Sequence, residues 1–222
     1  MVMQMITMST NLGGELAHRL TMALESHNRV VWLVPGGSNI AISIEAMAQL
    51  DAELTKKLVI LQTDERYVPL DSSDCNWKQL CDRGFDSKQA RAYPMLTDDA
   101  SRDEVVQRYM QVVVREFATA DYIIGQFGIG ADGHIAGIKP RSLASMTQEL
   151  VVGYQAEDFN RVTLTFTALS QLNEAVTFMF GADKQPVLDK LADGTPYNLA
   201  EFPAGIIQPI AVSTVYNDYK DK

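Results

Sequence analysis

The stretch Tyr122-Ile123-Ile124-Gly125-Gln126-Phe127-Gly128-Ile129-Gly130-Ala131-Asp132-Gly133-His134-Ile135-Ala136 joins an apolar run to a glycine-rich loop. The run from Tyr122 to Phe127 predicts a buried strand, and His134 stands where the pattern predicts the start of a short helix. A strand that leads into a helix is where open α/β sheets bind ligands, and an imidazole there can transfer a proton near neutral pH. A tight turn beside a structural histidine would show the same sequence pattern, so the choice between a functional and a structural role depends on the other loops of the chain.

The rest of the chain repeats this alternation of apolar runs and helical periodicity. Buried strands are predicted at residues 30–34, 58–61, 175–180 and 206–212, a short strand at 91–93, and helices at 11–26, 40–50, 74–81, 184–191 and after a capping box at Ser101 and Glu104. Residues 150–154 and 161–166 predict a small antiparallel subregion within 148–166. Strands that alternate with helices indicate an α/β fold with a doubly wound, mostly parallel sheet and helices on both faces.

Length and charge limit the classes of protein that this chain can represent. We expect residues 1–222 to form a single domain, with 46% apolar and 21% charged residues, as in globular proteins. A net charge of −9 argues against nucleic acid as a partner. It leaves an anionic substrate open, because a local group of Arg and Lys can override the overall sign.

The chain also lacks sequence signals for secretion, membranes or metals. Residues 1–10 show no signal peptide, and no run approaches the roughly 18 apolar residues of a membrane span. Cys75 and Cys81 do not have metal-site spacing and are expected to be reduced thiols. We therefore expect a cytoplasmic protein, without a metal, that is a monomer or a weak homo-oligomer.

A glycine loop follows the predicted strand at 30–34. Gly36-Gly37-Ser38 at a helix start offers backbone N–H groups and the positive end of a helix dipole, which together favour an anion. The loop is neither a Walker A motif nor a Gly-x-Gly-x-x-Gly loop, so it suits a small phosphate monoester better than a nucleotide. It could equally be a tight turn with Ser38 as N-cap, and both descriptions can hold together.

Charged residues also lie at the ends of three further strands. Asp64, Glu65 and Arg66 come after the strand at 58–61. Alternation along the chain directs Asp64 and Glu65 to opposite sides, so one could face a pocket while the other pairs with a nearby cation. Arg161 and Lys184 occupy ends of strands from which they could reach a bound phosphate. Each of these groups alone could be a solvated surface charge, but loops at one edge of a parallel sheet converge on one crevice.

Taken in order, these loops resemble the 6-phosphogluconolactonase family, within the broader group that includes glucosamine-6-phosphate deaminases. The stretches that match are Gly36-Gly37-Ser38, residues 64–69, Gly128 to Ala136 with Pro140, and residues 161–165 with Gly181 and Lys184. The resemblance implies a Rossmann-like α/β enzyme of the pentose phosphate pathway. Such an enzyme hydrolyses a small phosphorylated sugar lactone, 6-phosphoglucono-1,5-lactone, to 6-phosphogluconate without a cofactor.

The same resemblance implies roles for individual residues. His134 would be the general base that activates water, and Asp64 and Asp132 would be further catalytic candidates. The residues that would line the site and bind the phosphorylated substrate are Gly36, Gly37, Ser38, Arg66, Arg161 and Lys184. Imidazole suits general-base catalysis, glycine-rich backbone can stabilise an oxyanion, and an anchored phosphate would place the lactone carbonyl near His134.

Departures from the family pattern leave two alternatives. Lactonases usually follow the histidine with Ala-Ser-Leu-Phe-Pro, whereas this chain has Ala136-Gly137-Ile138-Lys139-Pro140, and Ala131 replaces a common acidic residue. A deaminase typically has a glutamate at the position of Lys139, and Arg66 also favours the lactonases. The alternatives are a deaminase/isomerase-like enzyme and a catalytically silent sugar-phosphate-binding protein. Lys139 could add affinity for the substrate or be merely solvated.

Overall fold

The computed structural model describes residues 3–7 and 10–218. The strands in this part of the chain are β1 Gln4–Thr7, β2 Val30–Val34, β3 Leu58–Gln62, β4 Asp64–Arg66, β5 Arg91–Tyr93, β6 Tyr122–Phe127, β7 Val151–Gln155, β8 Asn160–Leu164, β9 Glu174–Met179 and β10 Val212–Asn217. The α-helices are α1 Leu12–Ser26, α2 Ile40–Gln49, α3 Asn76–Asp82, α4 Arg102–Thr119, α5 Phe166–Leu169 and α6 Gln185–Ala192. None of these helices is long and apolar enough to cross a membrane.

Seven strands form a parallel sheet in the order β1-β10-β9-β6-β2-β3-β5. From β2 the chain moves outward through β3 and β5, then crosses to β6 on the other side of β2 and continues to β9 and β10. The direction of winding therefore reverses between β2 and β6, which is where open α/β sheets place their ligand crevice. This architecture confirms the predicted α/β fold.

Helices cover both faces of this sheet, because its central strands are apolar on both sides. In β2, Trp32 packs in a core cluster with α1 and α2, whereas Leu33 packs in the opposite cluster with α4 and α6. All five residues of β2 are buried, as expected of a parallel strand between two layers. The predicted capping box opens α4, since Ser101 Oγ accepts from the Glu104 N–H and the Glu104 carboxylate accepts from the Ser101 N–H.

A second, antiparallel sheet has the order β4-β8-β7 and confirms the predicted antiparallel subregion. Its third strand, β4, had been predicted as a loop. Asp64, Glu65 and Arg66 pair with Thr163, Val162 and Arg161 of β8. These polar residues form a strand because β8 supplies the hydrogen-bond partners, not because of any local apolar pattern.

Two other predictions were wrong. The last strand is β10 rather than residues 206–212. A 3₁₀ helix at Pro203–Ile207 contains Ile206 and Ile207, the first apolar residues of that run, and both are buried. No helix begins at His134. The loop after β6 is held by bridges from Ile135 to Ile129 and Ile138, all three buried, and Ala136 has a left-handed φ of 50° that interrupts helical geometry.

Candidate active site

A cleft of about 340 Å³ opens at the carboxyl edge of the parallel sheet. The loops after β2, β6 and β9 line it, together with β4 and the β7–β8 hairpin of the small sheet. The position is the reversal point between β2 and β6, so the fold itself creates the crevice. The convergence of loops that are distant in sequence, predicted from their positions at strand ends, is thus observed.

The glycine loop after β2 forms one wall of the cleft. A β-carbon at Gly36 would lie 2.2 Å from Cγ of Asn76, so only glycine allows this close approach. Gly37 has a φ of 67° and begins a 3₁₀ helix that continues into α2. Ser38 is not an N-cap, contrary to one reading of the sequence: Gly36 and Asn39 hold the cap positions, and no side chain caps either helix. The loop keeps the polarity that favours an anion.

His134 belongs to a small charged cluster at the edge of the cleft. Its Nδ1 lies 2.5 Å from Oδ1 of Asp132, and the same oxygen accepts from the His134 backbone N–H at 3.1 Å. Lys139 Nζ lies 3.2 Å from the other carboxylate oxygen and 3.4 Å from His134 Nδ1. One carboxylate is therefore shared between an imidazole and an ammonium group.

These contacts define the protonation of the cluster. Partial burial raises the pKa of Asp132, but the hydrogen bonds and charges of His134 and Lys139 outweigh it and hold the pKa well below its ordinary value. Asp132 is consequently ionised, so its carboxylate can only accept hydrogen bonds. A neutral His134 must therefore carry its proton on Nδ1, where it donates to Asp132. The other ring nitrogen, Nε2, then carries a free lone pair. An imidazole in this tautomer can act as a base.

Arg161 lies between two carboxylates in the lining of the cleft. Its guanidinium group contacts Asp158 at 2.7 Å and Asp64 at 3.4 Å. The hydrogen bond from Arg161 lowers the pKa of Asp158 to about 2, and Arg161 itself is 8% exposed. The two carboxylates thus fix the orientation of the guanidinium group. Asp64 faces the cleft, which answers one question that the sequence left open.

Phe159 connects this cation to a second one. The Arg66 guanidinium carbon lies 4.7 Å from the centre of the Phe159 ring, and that of Arg161 lies 6.0 Å away. Arg66 also donates to Asp74 at 3.2 Å. Distances of this size permit cation–π attraction, so a ring in the β7–β8 hairpin helps to hold two arginines at the cleft.

Glu65 points away from the cleft and is fully buried. It does not pair with a cation, which the sequence had suggested for one member of the pair. Its carboxylate instead accepts from the backbone N–H groups of Arg66, Asn76 and Trp77 and from the Gln62 side chain, at 2.7–2.9 Å. Burial raises the pKa of Glu65, and these bonds oppose the rise. Glu65 therefore joins β4 to the start of α3, which carries Asn76 into the wall of the cleft.

Gly137 sets the position of the loop that carries His134. Its N–H donates to Thr163 Oγ1 at 3.0 Å, and its carbonyl oxygen accepts from the Tyr154 hydroxyl at 2.5 Å. A β-carbon here would lie 2.8 Å from Cβ of Thr163 and 2.9 Å from Cβ of Asp64. The loop thus rests directly on the backbone of the small sheet.

The cleft brings together most of the predicted site residues. Those that line it are Gly36, Gly37, Ser38, Asp64, Arg66, His134, Arg161 and Lys184, while Asp132 lies behind His134 in the neighbouring groove. Three polar residues that line the cleft were not predicted from the sequence: Asn39, Asn76 and Asp158. Of these residues, Asn39 could have been found from the sequence, because it directly follows the predicted glycine loop. Lys139, whose role the sequence left open, lines the cleft as well. Among residues 3–7 and 10–218, no group of three or more His, Cys, Asp or Glu side chains could hold a metal ion.

Comparisons with known proteins identify the relatives of this chain. The model of the family "Glucosamine-6-phosphate isomerases/6-phosphogluconolactonase" matches residues 5–216. The chain is 30% identical over 187 residues to a 6-phosphogluconolactonase of Caulobacter vibrioides, covering 78% of each chain. It is 25% identical over 204 residues to one of Nostoc sp., covering 86% of this chain and 82% of that protein.

Solved structures share the fold. A 6-phosphogluconolactonase of Thermotoga maritima superposes with a TM-score of 0.78 at 18% identity, covering 96% of this chain and 98% of that chain. A monomeric glucosamine-6-phosphate deaminase superposes with a TM-score of 0.77 at 17% identity, covering 97% of each. The fold is therefore common to both activities. Because the family model spans nearly the whole sequence, the chain belongs to the glucosamine-6-phosphate isomerase/6-phosphogluconolactonase family.

Proposed function

We propose that this protein hydrolyses 6-phosphoglucono-1,5-lactone to 6-phosphogluconate. The observation that carries the proposal is the imidazole of His134, whose Nδ1 is held by Asp132 and whose ring lines a cleft beside cationic side chains. That arrangement supplies a base and an anion-binding surface in one crevice. The relatives in Caulobacter vibrioides and Nostoc sp. named as 6-phosphogluconolactonases support the same substrate.

In the proposed complex, the glycine loop, Arg161 and Lys184 bind the phosphate group. The start of α2 offers backbone N–H groups, and the two side chains offer charge-assisted hydrogen bonds. Arg66, which also lines the cleft, adds a further cation. A phosphate fixed in this way limits the poses that the sugar ring can adopt, so part of the entropic cost of reaction is met by binding.

The reaction that we propose is general-base hydrolysis. Nε2 of His134 accepts a proton from water as the water oxygen bonds to the lactone carbonyl carbon, and the carbonyl electrons move to its oxygen. The positive charge of the cationic side chains that line the cleft favours that oxyanion. When the tetrahedral intermediate collapses, the bond to the ring oxygen breaks, and the imidazolium returns the proton to that oxygen as it becomes a hydroxyl group. Asp132 stabilises the imidazolium between these two proton transfers.

The second enzyme in the family, the deaminase, fits this chain less well. It would use a glutamate at the position of Lys139, and the lysine here is paired with Asp132 rather than free to act as an acid. A catalytically silent sugar-phosphate-binding protein is the other alternative. It would keep the cationic cleft, but it would have no need of a histidine held in one tautomer. We also propose that residues 1–222 function as one cytoplasmic domain, as a monomer or a weak homo-oligomer.

The test compares wild type with His134→Ala and Lys184→Ala, using freshly made lactone with spontaneous opening subtracted. We expect His134→Ala to lower kcat by about 10²- to 10⁴-fold while its Kd for 6-phosphogluconate changes little. Lys184→Ala should mainly raise KM and that Kd. If wild type gives no turnover above background yet binds 6-phosphogluconate, the protein is a silent binder. If His134→Ala retains the wild-type rate, His134 is not the base.

A further inference from the structure

Lys139 is the one member of the His134 cluster that the family pattern does not account for, and its surroundings are specific. The ammonium group lies 3.2 Å from Asp132 Oδ2 and 3.4 Å from His134 Nδ1, and its side chain is 29% exposed. Both contacts are on the Nδ1 side of the imidazole, behind the nitrogen that would accept a proton. Lys139 also lines the cleft, but its two contacts lie on the side of the ring away from Nε2, so the position suits an effect on His134 through Asp132 better than contact with a reacting atom.

Charge balance indicates what this contact does. Asp132 alone would favour a positive imidazole, since an opposite charge at hydrogen-bond distance stabilises the charged form. Lys139 neutralises much of that carboxylate and adds a like charge next to Nδ1, and both effects disfavour the imidazolium. Solvent reaches all three side chains, which are 29–44% exposed, so the effect is screened but not abolished.

We propose that Lys139 is a positioning residue that shares Asp132 with His134 and so extends to lower pH the range in which His134 is a free base. Its consequence for turnover rests on the proposed role of His134, but its effect on the titration of His134 does not. The same contact makes the imidazolium of His134, which forms when Nε2 accepts a proton, less stable.

The other charged groups near His134 belong to separate elements. Those that line the same cleft are Asp64 and Arg66 of β4, Asp158 of the β7–β8 turn, Arg161 of β8 and Lys184 after β9. Asp64 and Asp158 are paired with Arg161, Arg66 is paired with Asp74, and Arg141 on the loop is paired with Glu201. Lys139 also helps to lower the pKa of Asp158 through its charge, but the contact of Asp158 with Arg161 does not involve the lysine. We therefore expect these pairs to persist when Lys139 is substituted, so that a change in His134 can be attributed to the lysine.

The direct test is an NMR titration of the imidazole signals in the ligand-free protein. The chain has three histidines, so His18 and His27 serve as internal controls, and His134→Asn identifies the remaining signal. In Lys139→Met we expect the His134 midpoint to rise by about 0.5–1 pH unit, and in Lys139→Arg to stay near wild type. Asp132→Asn should move it the opposite way. A His134 midpoint that stays the same or falls in Lys139→Met would overturn the proposal.

An activity measurement adds a second criterion. The acid limb of the pH profile of kcat/KM should move to higher pH in Lys139→Met and return in Lys139→Arg, with KM at high pH nearly unchanged. A KM that rises severalfold with an unmoved acid limb would mean that Lys139 binds the phosphate, contrary to the proposal. If wild type shows no hydrolysis but the NMR midpoint rises as expected, the proposed function fails while the role of Lys139 toward His134 stands.

Discussion

Replacing Gly137 by serine would restore the residue usual in the lactonases, and we expect it to damage this protein. The new β-carbon would lie 2.8 Å from Cβ of Thr163 and 2.9 Å from Cβ of Asp64. Neither neighbour is the flexible end of a long side chain. Both belong to the backbone-proximal part of strands β8 and β4, which are paired at this point. The strain therefore cannot be relieved by a rotamer change and must move the loop or the small sheet.

The size of the effect follows from this geometry. An ordinary carbon contact is 3.4 Å or longer, so the loop or the sheet must move by roughly 0.6 Å from the 2.8 Å separation. Overpacking of a closely packed site costs about 1–3 kcal/mol. For a chain of 222 residues each kcal/mol lowers Tm by ~2–4 °C, which gives an expected fall of about 2–12 °C. The same movement displaces Asp64, and with it Arg161.

Thermal unfolding and binding of 6-phosphogluconate would be measured for Gly137→Ser and Gly137→Ala. The matched control is Gly205→Ala, another buried glycine, where the nearest atom to a new β-carbon is the end of Leu199 at 3.2 Å. The control should change Tm by less than about 2 °C, because a flexible side chain can move away. If both Gly137 variants match the control in Tm and the wild type in Kd, the loop does not need glycine at position 137 and a β-carbon there causes no strain.

Three further predictions concern the walls of the cleft. Phe159→Leu should raise the Kd for 6-phosphogluconate about 2- to 5-fold, because Arg66 loses a cation–π contact worth about 0.5–1 kcal/mol and the more distant Arg161 loses less. Phe159→Tyr should match wild type in calorimetry. Glu65→Gln should lower the free energy of unfolding by about 2–4 kcal/mol in urea, since an amide nitrogen would then face buried N–H donors; an unchanged stability would contradict the hydrogen-bond assignment. The folded-state pKa of Asp158, about 2, lies below the ordinary value near 3.9, so its stabilisation is complete above pH ~4 and is lost as pH falls toward 2. Asp158→Asn should therefore cost under about 1 kcal/mol at pH 7, because the group is half-exposed, and the cost should shrink as pH falls through 2. A cost that stays constant down to the lowest pH at which the protein is folded would point to packing instead.

The parts of the fold that sequence could predict are those with a local cause. The central strands are continuous apolar runs because they are buried on both faces, and Ser101 with Glu104 forms a capping box from residues three apart. The convergence of loops needs only the rule that parallel strands end at one edge. His134, Asp64 and the glycine loop could be placed at one crevice for this reason.

What could not be predicted depends on partners distant in sequence. Strand β4 consists of three charged residues and exists because β8 pairs with it. Strand β10 buries Ser213, Thr214 and Asn217, which resemble a polar loop until its neighbours are known. Asp158 lies in a hairpin turn, and its carboxylate is held at the cleft by Arg161, which comes from the following strand. The contact between Lys139 and Asp132 likewise depends on how the loop folds back between the bridges of Ile135.

The edge of the parallel sheet has a consequence for synthesis on the ribosome. Strand β1, Gln4–Thr7, is paired with β10, Val212–Asn217, which the ribosome makes about 200 residues later. At the usual elongation rates of ~5–20 residues per second, β1 remains without its pairing strand for roughly 10–40 s. During that time β2, β3 and β6 can already assemble, so the nascent chain holds a partly built sheet whose remaining edge is open. Chaperone engagement should be greatest in this interval and should end when β10 emerges.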